Sequence, residues 1–352
     1  MQSFYQHKAF QDDLLTWYQT VKRDLPWRQN KDPYRILVSE IMLQQTQVVT
    51  VIPYYERFLE WFPTPESLAA APESRLLKAW EGLGYYSRVR NLQAAAQMIV
   101  EQGGFPTTHK GILNLKGVGP YTAGAVGSIA FGLAVPAVDG NVFRVISRIF
   151  LIFEDIMKGR TRKIFEDVVQ ELIPTNNPGD FNQALMELGA TICKPKSPKC
   201  LECPVQDYCL AFKEGVDDQL PVKTKPLKQK KVKLVVGIVR NQYGEILLEK
   251  RPETGLLSNF YEFRTLEYKG NEPQSSLVES LKGCVVQNIK SIGSFQHVFS
   301  HRIWEMEAYE VEVKTIAEEV AESDEVWIKA ENLDKVSLVT AHLKIWEIAK
   351  NF

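Results

Sequence analysis

The sequence predicts two domains of different class, an all-α domain followed by an α+β domain. Up to residue 213, apolar residues recur at helical spacing, and frequent Pro and Gly divide the pattern into many short helices. From residue 232, β-branched runs flank tight turns, which is the pattern of strands and hairpins. A lysine-rich segment lies between them. We therefore place a helical domain at 1–213, a basic linker at 214–231 and an α+β domain at 232–352.

In the first domain the helical pattern is clearest in three stretches, 36–62, 76–102 and 163–173. Pro and Gly interrupt it at 63–65, 103–106 and 174–179. Short connections between many helices predict a globular helical domain and not a long bundle.

Residues 217–233, which include most of the linker, have six lysines, two prolines and few apolar residues, so we expect the linker to be exposed and semi-extended. Its lysines are either solvated or in contact with phosphates. The second domain begins with a hairpin signature, two β-branched runs around an Asn-Gln-Tyr-Gly turn. Further elements are predicted as strands at 289–298, 303–313 and 325–329, and as helices at 274–283 and 338–350.

Composition limits the class of protein. No apolar run reaches 18 residues, and the first residues lack the layout of a secretory signal, so we expect a cytoplasmic, bacterial protein held on nucleoid DNA. The net charge of −1 conceals an asymmetry: residues 1–231 hold 28 basic and 24 acidic side chains, whereas 232–352 hold 14 and 19. The excess of basic residues in the first part suits phosphate contacts without requiring them.

Four of the five cysteines lie within 17 residues, with the spacing Cys-x6-Cys-x2-Cys-x5-Cys. Without an export signal, disulfides are disfavoured and a metal site is the better interpretation. Zinc ribbons use two well-separated Cys-x2-Cys knuckles, and this chain has one. The spacing resembles the cluster loop of the endonuclease III superfamily of DNA glycosylases, which implies a [4Fe–4S] cluster; zinc and free thiols are the alternatives. The predicted ligands are Cys193, Cys200, Cys203 and Cys209.

A helix–turn–helix pattern at 109–131 contains Gly117-Val118-Gly119, where bare amides can approach a phosphate at a helix N-terminus. It resembles the helix–hairpin–helix motif, which grips the DNA backbone without reading sequence. Asp139 follows some 20 residues later and precedes Gly140, Asn141 and a helix. Taken alone it is an ordinary N-cap, but the superfamily has its catalytic aspartate at this position.

Glu40 lies in SEIMLQQTQV, and by itself it is more typical of a solvent-facing helix position. Together with LPWR at 25–28 and DPYRILV at 32–38, however, this segment closely resembles the MutY family of adenine DNA glycosylases. The resemblance spans nearly the whole chain and makes Glu40 the acid that protonates adenine. Protonation makes adenine a better leaving group, and an ionised Asp139 can stabilise the positive sugar that remains.

The resemblance also implies roles for residues around this pair. Tyr121 stands where bifunctional relatives have a Schiff-base lysine, so excision without strand cleavage is expected, and Asn141 joins the catalytic group. Trp27, Arg28 and Gln183 are expected in the adenine pocket, although core packing explains Trp27 and a surface helix explains Gln183 equally well. The residues expected to contact DNA or the opposite base are Gln44, Gln45, Thr46, Tyr85, Gly117 and Gly119.

The second domain resembles the Nudix-like C-terminal domain of the same family. It lacks the Arg-Glu-x2-Glu-Glu helix with which Nudix hydrolases bind metals, so we expect it to bind and not to cut. Phe299, Ser300 and His301 match the loop that recognises 8-oxoguanine, although the pattern alone would suggest a plain turn. The chain departs from the family at 256–264, where it reads LLSNFYEFR in place of a Gly-Leu-Trp-x-Phe-Pro run.

The sequence thus predicts an enzyme that hydrolyses the N-glycosidic bond of adenine opposite 8-oxoguanine or guanine after base flipping, as a monomer on double-stranded DNA with no membrane partner. Three alternatives stay open. They are a pyrimidine-specific glycosylase/lyase, a Nudix-type nucleotide pyrophosphatase with a DNA-binding arm, and a non-catalytic cluster protein that binds DNA.

Overall fold

The computed structural model of the chain describes residues 7–224, 229–270, 272–299, 301–315 and 324–350. They form two compact units, each described by itself below. Unit 1 comprises the described residues up to Ala71 and from Ser87 to 224. Unit 2 comprises Pro72–Tyr86 and the described residues from 229 onward. Among the described residues, no helix is long and apolar enough to cross a membrane.

Unit 1 is helical, as the sequence predicts. In chain order its helices are α1 His7–Val21, α2 Pro33–Leu43, α3 Val48–Trp61, α4 Pro65–Ala69, α6 Ser87–Glu101, α7 His109–Leu113, α8 Pro120–Phe131, α9 Gly140–Phe150, α10 Thr161–Leu172, α11 Pro178–Thr191 and α12 Leu210–Glu214; α5, Glu73–Trp80, falls in unit 2. The predicted hairpin is present as α7 and α8, although the first helix ends at Leu113, earlier than expected.

Local capping explains where the helices that carry the site begin. The Asp32 side chain accepts the backbone N–H groups of Tyr34 and Arg35, and Pro33 fills the first position of α2. Asp139 accepts the N–H of Val142 at the start of α9. The apolar faces of α1, α9, α10 and α11 then close one core, whose fully buried members include Phe10, Leu14, Val142, Ile146, Phe165, Phe181 and Leu185.

Unit 2 contains one mixed sheet with strands β1 Lys230–Arg240, β2 Glu245–Lys250, β3 Tyr261–Glu262, β4 Arg264–Glu267, β5 Cys284–Val298, β6 Arg302–Thr315 and β7 Glu325–Lys329. The main order is β3-β2-β1-β6-β5, with β4 paired to β1 and β7 to β2. β1 runs parallel to β6 and antiparallel to β2. Helices α13 Pro273–Ser280 and α14 Thr340–Ala349 complete the unit, so the predicted strands and helices of this half are confirmed.

Two expectations about connecting segments need correction. The linker is not exposed throughout, since Leu220 is 2% exposed and Arg148 donates to the carbonyls of Asp217 and Leu220. The backbone N–H of Ile156 also donates to the carbonyl of Val222 at 3.1 Å. These apolar and backbone contacts outweigh the lysine-rich character of the segment, which is why composition misjudged it.

The second correction concerns α5 and the loop after it, which the helical pattern places in the first domain. In the structure, the Tyr86 ring packs on Phe260 at 4.2 Å and its hydroxyl lies 3.2 Å from Thr340 Oγ1. The N–H of Leu338 donates to Glu81 at 3.1 Å. Segment 72–86 therefore packs within unit 2, and the atypical run at 256–264 supplies part of its contact surface.

Candidate active site

Glu40 is buried, and its surroundings differ from the solvent-facing helix position that the bare pattern favours. Glu40 is 6% exposed and lies on the face of α2 that packs against α8. The Tyr121 hydroxyl donates to Glu40 Oε2 at 2.5 Å. Burial raises the pKa of Glu40 to about 7, against the hydrogen bond from Tyr121, which lowers it. The carboxyl can therefore hold a proton near neutral pH.

Asp139 occupies the N-cap of α9, where hydrogen bonds fix its carboxylate. Oδ1 accepts the N–H of Val142 at 2.7 Å, and Oδ2 accepts Asn141 Nδ2 at 2.9 Å. Burial raises the pKa of Asp139, while these hydrogen bonds and the charge of Arg144 lower it. The sequence predicts a protonated Glu40 beside an ionised Asp139. In the structure the pKa values of both are raised, and Asp139 differs in having several donors that favour its ionised form.

The side chain of Asn141 is held in place by a hydrogen bond from Arg144. Its Oδ1 accepts Arg144 Nη2 at 2.9 Å, and Arg144 Nε donates to the carbonyl of Cys193 at 2.7 Å. Gly189 on α11 lies so close that an added Cβ would stand 2.5 Å from Asn141 Cβ. Helix α11 therefore approaches the Asp139 loop at a position where only glycine fits.

A cavity of about 950 Å³ within unit 1 brings the predicted groups together. It is lined by predicted members of three sets: the catalytic group, the adenine pocket and the DNA contacts. These are Trp27, Arg28, Glu40, Gln44, Gln45, Thr46, Gly117, Gly119, Tyr121, Asp139, Asn141 and Gln183.

Some predicted residues of the adenine pocket also have structural roles. Trp27 is 8% exposed and packs edge-on against Tyr55 at 5.4 Å, so it is both a core residue and a cavity wall. The guanidinium of Arg28 lies 5.6 Å over the Tyr18 ring. Gln183 lines the cavity from α11, and it is not on a distant surface.

The buried side chain of Arg88 shapes the turn after α2. Arg88 is 8% exposed and donates to the carbonyls of Ile41 and Met42, capping the C-terminal end of α2. Gln45 adopts a left-handed φ of 57°, so the Gln44–Thr46 turn departs from the helix and borders the cavity.

Sequence reasoning missed several cavity residues, above all Arg23 and Glu187. Glu187 stands one helical turn after Gln183 on α11, which places both on the same face. Its carboxylate accepts Arg23 Nε at 2.5 Å and Arg28 Nη2 at 2.8 Å. The spacing from Gln183 was the signal available in the sequence, and it required knowing that this face is internal.

The four clustered cysteines line one small cavity, together with Arg148 and apolar residues of the unit 1 core. Arg148 Nη1 lies 3.3 Å from Cys193 Sγ. Among the described residues, no three His, Cys, Asp or Glu side chains are grouped so that they could hold a single ion. Four thiols around a shared space suit a multi-iron cluster better than one zinc ion, and cation donors near sulfur suit its negative thiolates. The residues present therefore fit a [4Fe–4S] cluster.

In unit 2 the expected opposite-base residues lie in two places. Phe299 is at the tip of the β5–β6 hairpin, where its ring packs on His297 at 4.6 Å and Trp304 at 4.8 Å. His301 is exposed and accepts Arg302 Nε at 2.9 Å, whereas Ser300 lies outside the described residues. Tyr85 belongs to segment 72–86, with a left-handed φ of 49° and an exposure of 44%.

The first and second parts of the chain match different known families. Residues 38–171 match the HhH-GPD superfamily of base excision DNA repair proteins, and 193–209 match the iron-sulfur binding domain of endonuclease III. Residues 235–348 match a NUDIX domain. A solved thermostable thymine-DNA glycosylase is 32% identical and superimposes with a TM-score of 0.53, covering 59% of this chain and 97% of its own. Fold and matches thus place the chain with the base excision DNA repair proteins of the HhH-GPD superfamily, with a loop that holds a [4Fe–4S] cluster.

Relatives narrow this class to one family. The rat adenine DNA glycosylase is 38% identical over 83% of this chain and 68% of its own length. The Arabidopsis thaliana adenine DNA glycosylase is 37% identical over 82% of this chain. The chain spans only about half, 54%, of the Arabidopsis protein. It belongs to the adenine DNA glycosylase family.

Proposed function

We propose that this chain removes adenine paired with 8-oxoguanine or guanine by hydrolysing its N-glycosidic bond. The observation that carries the proposal is one cavity lined by a protonatable Glu40, a hydrogen-bonded Asp139 and the Tyr121 hydroxyl. Family membership supports adenine as the base. A flipped nucleotide costs a few kcal/mol of unstacking, which contacts in such a cavity can offset.

In the proposed reaction, Glu40 donates its proton to a ring nitrogen of adenine as the bond to the sugar breaks. Tyr121 then stabilises the resulting carboxylate through its short hydrogen bond. Asp139, held by Asn141 and the Val142 N–H, stabilises the oxocarbenium-like sugar until water adds. Because Tyr121 stands in place of a nucleophilic lysine, the strand is not cleaved.

The remaining residues are assigned to adenine binding, to DNA contacts and to recognition of the opposite base. Trp27, Arg28 and Gln183 bind adenine, and Gly117 and Gly119 offer backbone amides to a phosphate. Gln44, Gln45 and Thr46 occupy the gap left by the flipped base, and Tyr85 contacts the DNA. Phe299, Ser300 and His301 recognise 8-oxoguanine. The cluster, held by its four cysteines, orders the loop whose Lys194, Lys196 and Lys199 face phosphates, and the enzyme acts as a monomer.

The test is a glycosylase assay on four duplexes with adenine opposite 8-oxoguanine, guanine, cytosine or thymine. Alkali after incubation reveals abasic sites, and omitting alkali detects any lyase activity. We expect adenine release opposite 8-oxoguanine and guanine only, with intact strands before alkali. The Glu40→Gln variant should bind the 8-oxoguanine duplex without releasing adenine. Release of an oxidised pyrimidine, or of adenine opposite every base, would contradict the proposal.

The second domain leaves a different enzyme class to exclude, a nucleotide pyrophosphatase. Helix α13 carries one acidic residue, Glu279, where a Nudix hydrolase needs several to bind its metals. Incubation with nucleoside triphosphates and Mg²⁺ should therefore release no pyrophosphate. Turnover in that assay would assign the second domain an activity of its own.

A further inference from the structure

Glu187 is a buried carboxylate in the cavity that the proposed chemistry leaves without a role. Its side chain is 1% exposed, so it must be paired to remain ionised. Burial raises the pKa of Glu187, but the hydrogen bonds from Arg23 and Arg28 outweigh burial and leave it below its ordinary value. The cavity therefore contains a third carboxyl group with the opposite behaviour to Glu40.

The partners of Glu187 are held in a defined arrangement. Arg23 engages both carboxylate oxygens, through Nε at 2.5 Å and Nη2 at 3.1 Å. Arg28 donates Nη2 to Glu187 at 2.8 Å and Nη1 to the carbonyl of Arg23 at 3.1 Å. With Tyr18 beneath its guanidinium, Arg28 is fixed from three sides on the α11 side of the cavity.

Glu40 lies in the same cavity and is surrounded by few charges. Tyr121 of α8 donates to it, Asp139 faces it from the start of α9, and Arg28 faces it from the turn 26–28. Arg88 of α6 does not face Glu40 but donates to the carbonyl of Ile41, the residue that follows Glu40 in α2. Arg28 is thus the cation whose charge lowers the pKa of Glu40. Its effect is smaller than those of burial, of the hydrogen bond from Tyr121 and of the charge of Asp139.

A guanidinium that paired directly with Glu40 would favour its ionised form and remove the proton that adenine needs. The geometry points to Glu187 as the group that prevents this. We propose that Glu187 is a positioning residue, which binds Arg23 and Arg28 so that Arg28 faces the flipped adenine and cannot pair with Glu40. This inference rests on the proposed role of Glu40 as the acid.

The decisive variant is Glu187→Gln, which keeps the shape of the side chain and removes its charge. Released from Glu187, Arg28 should move toward Glu40, so the alkaline limb of the single-turnover rate profile should shift by about one pH unit to lower pH. The rate at pH 7.5 should then fall about tenfold, and recover on acidification to pH 5.5. Glu171→Gln, which changes an exposed glutamate of α10, is the matched control and should leave the profile unchanged.

The double variant Glu187→Gln/Arg28→Gln separates charge placement from folding. With the mobile cation gone, the alkaline limb should return to the wild-type pH or above it, although weaker adenine binding lowers the rate throughout. If Glu187→Gln lowers the rate equally at every pH, or if the double variant keeps the shifted limb, the proposal is wrong.

A readout without turnover keeps this test independent of the proposed function. Carboxyl carbon-13 NMR of glutamate-labelled protein, with the Glu40 signal assigned by its loss in Glu40→Gln, follows the titration directly. The Glu40 midpoint should be lower in Glu187→Gln than in wild type and should be restored in the double variant. An unchanged midpoint overturns the inference, whereas failure of adenine release with the expected midpoints overturns only the proposed function.

Discussion

At the scale of single residues, the site depends on how two buried carboxyl groups are treated differently. Both have raised pKa values because burial disfavours their charged forms. Glu40 receives one side-chain donor, Tyr121, whereas Asp139 receives donors from Asn141 and the Val142 backbone. Donors stabilise a carboxylate, so more hydrogen bonds favour the ionised form at Asp139 than at Glu40.

The Tyr121→Phe variant tests this balance at its shortest hydrogen bond. Loss of the hydroxyl should raise the pKa of Glu40, because that bond lowers it in the wild type. The alkaline limb of the excision profile should therefore move to higher pH, opposite to the shift expected for Glu187→Gln. The rate below pH 6 should fall about tenfold, since the carboxylate formed on proton donation loses a charge-assisted hydrogen bond. Single-turnover rates from pH 5 to 9 measure both effects; a downward shift would contradict them.

The raised pKa of Glu40 also has a cost in stability. A carboxyl with a folded-state pKa of about 7 against an ordinary 4.5 stabilises the fold below pH 4.5, and this stabilisation is lost as the pH rises to 7. The loss amounts to roughly 3 kcal/mol. Glu40→Gln removes this titration, so its free energy of unfolding should gain on that of wild type between pH 5 and 8. Urea titrations at several pH values measure the difference, and parallel curves would refute the expectation.

Residue-scale prediction from sequence was possible where a motif specified the neighbours, and it was not possible where burial had to be known. Glu40 could be assigned only through SEIMLQQTQV and its resemblance, since its apolar neighbours in the chain fit an exposed helix face equally well. Glu187 carries no motif, and an acidic residue in a helix is usually solvated. Its partners Arg23 and Arg28 lie 164 and 159 residues earlier in the chain, and helical periodicity gives no information about contacts between residues so far apart.

At the scale of elements, the hairpin turn offers a matched pair of glycines. Gly117 has φ +74°, and an added Cβ would stand 2.5 Å from Asn91 Cβ, whereas a Cβ at Gly119 meets nothing within 4 Å. Gly119 has φ −95°, which any residue can adopt. Gly117→Ala should therefore destabilise the fold by roughly 1–2 kcal/mol and weaken DNA binding regardless of sequence.

Gly119→Ala is the control for that variant, and it should change the free energy of unfolding by less than about 0.5 kcal/mol. Thermal unfolding and fluorescence anisotropy with undamaged duplexes measure the two effects. Equal stability of the two variants would show that the left-handed conformation at Gly117 is not what the turn requires.

Element boundaries followed the sequence closely where the pattern was local. The strand predicted at 325–329 is β7, Glu325–Lys329, and the hairpin signature gives β1 and β2. Partners distant in the chain were not predictable. Helical periodicity identifies α5, but the packing of segment 72–86 within unit 2 includes contacts of Tyr86 with Phe260 and Thr340, which lie more than 170 residues later in the chain.

At the scale of the whole molecule, the two units divide the proposed recognition. The cavity with Glu40 and Asp139 belongs entirely to unit 1, whereas Tyr85, Phe299 and His301 belong to unit 2. Because segment 72–86 is part of unit 2, the chain enters that unit twice, first through this segment and again beyond residue 229. Tyr85 and the β5–β6 hairpin residues Phe299 and His301 thus come from two distant parts of the sequence but belong to one compact unit.

Unit 2 also has a titratable group that should set its resistance to acid independently of unit 1. His342 is fully buried on α14, where Nδ1 accepts the N–H of Phe263 at 3.1 Å and the two rings stack at 5.6 Å. Burial lowers the pKa of His342 to about 3, with smaller contributions from Arg251 and His297. The stability it provides is complete above pH 6.5 and is lost as the pH falls toward 3, by on the order of 5 kcal/mol.

The His342→Asn variant tests this, since its amide oxygen can still accept the Phe263 N–H but cannot titrate. We expect it to be less stable than wild type at pH 7.5, because the stacked ring is lost, yet to lose less stability between pH 6.5 and 4. His301→Asn, a change at an exposed histidine of the same unit, should keep the wild-type slope. Chemical denaturation followed by tryptophan fluorescence, with absorbance near 400 nm reporting on the cluster in unit 1, separates the two units. An acid slope that His342→Asn leaves unchanged would place the sensitivity elsewhere in the protein.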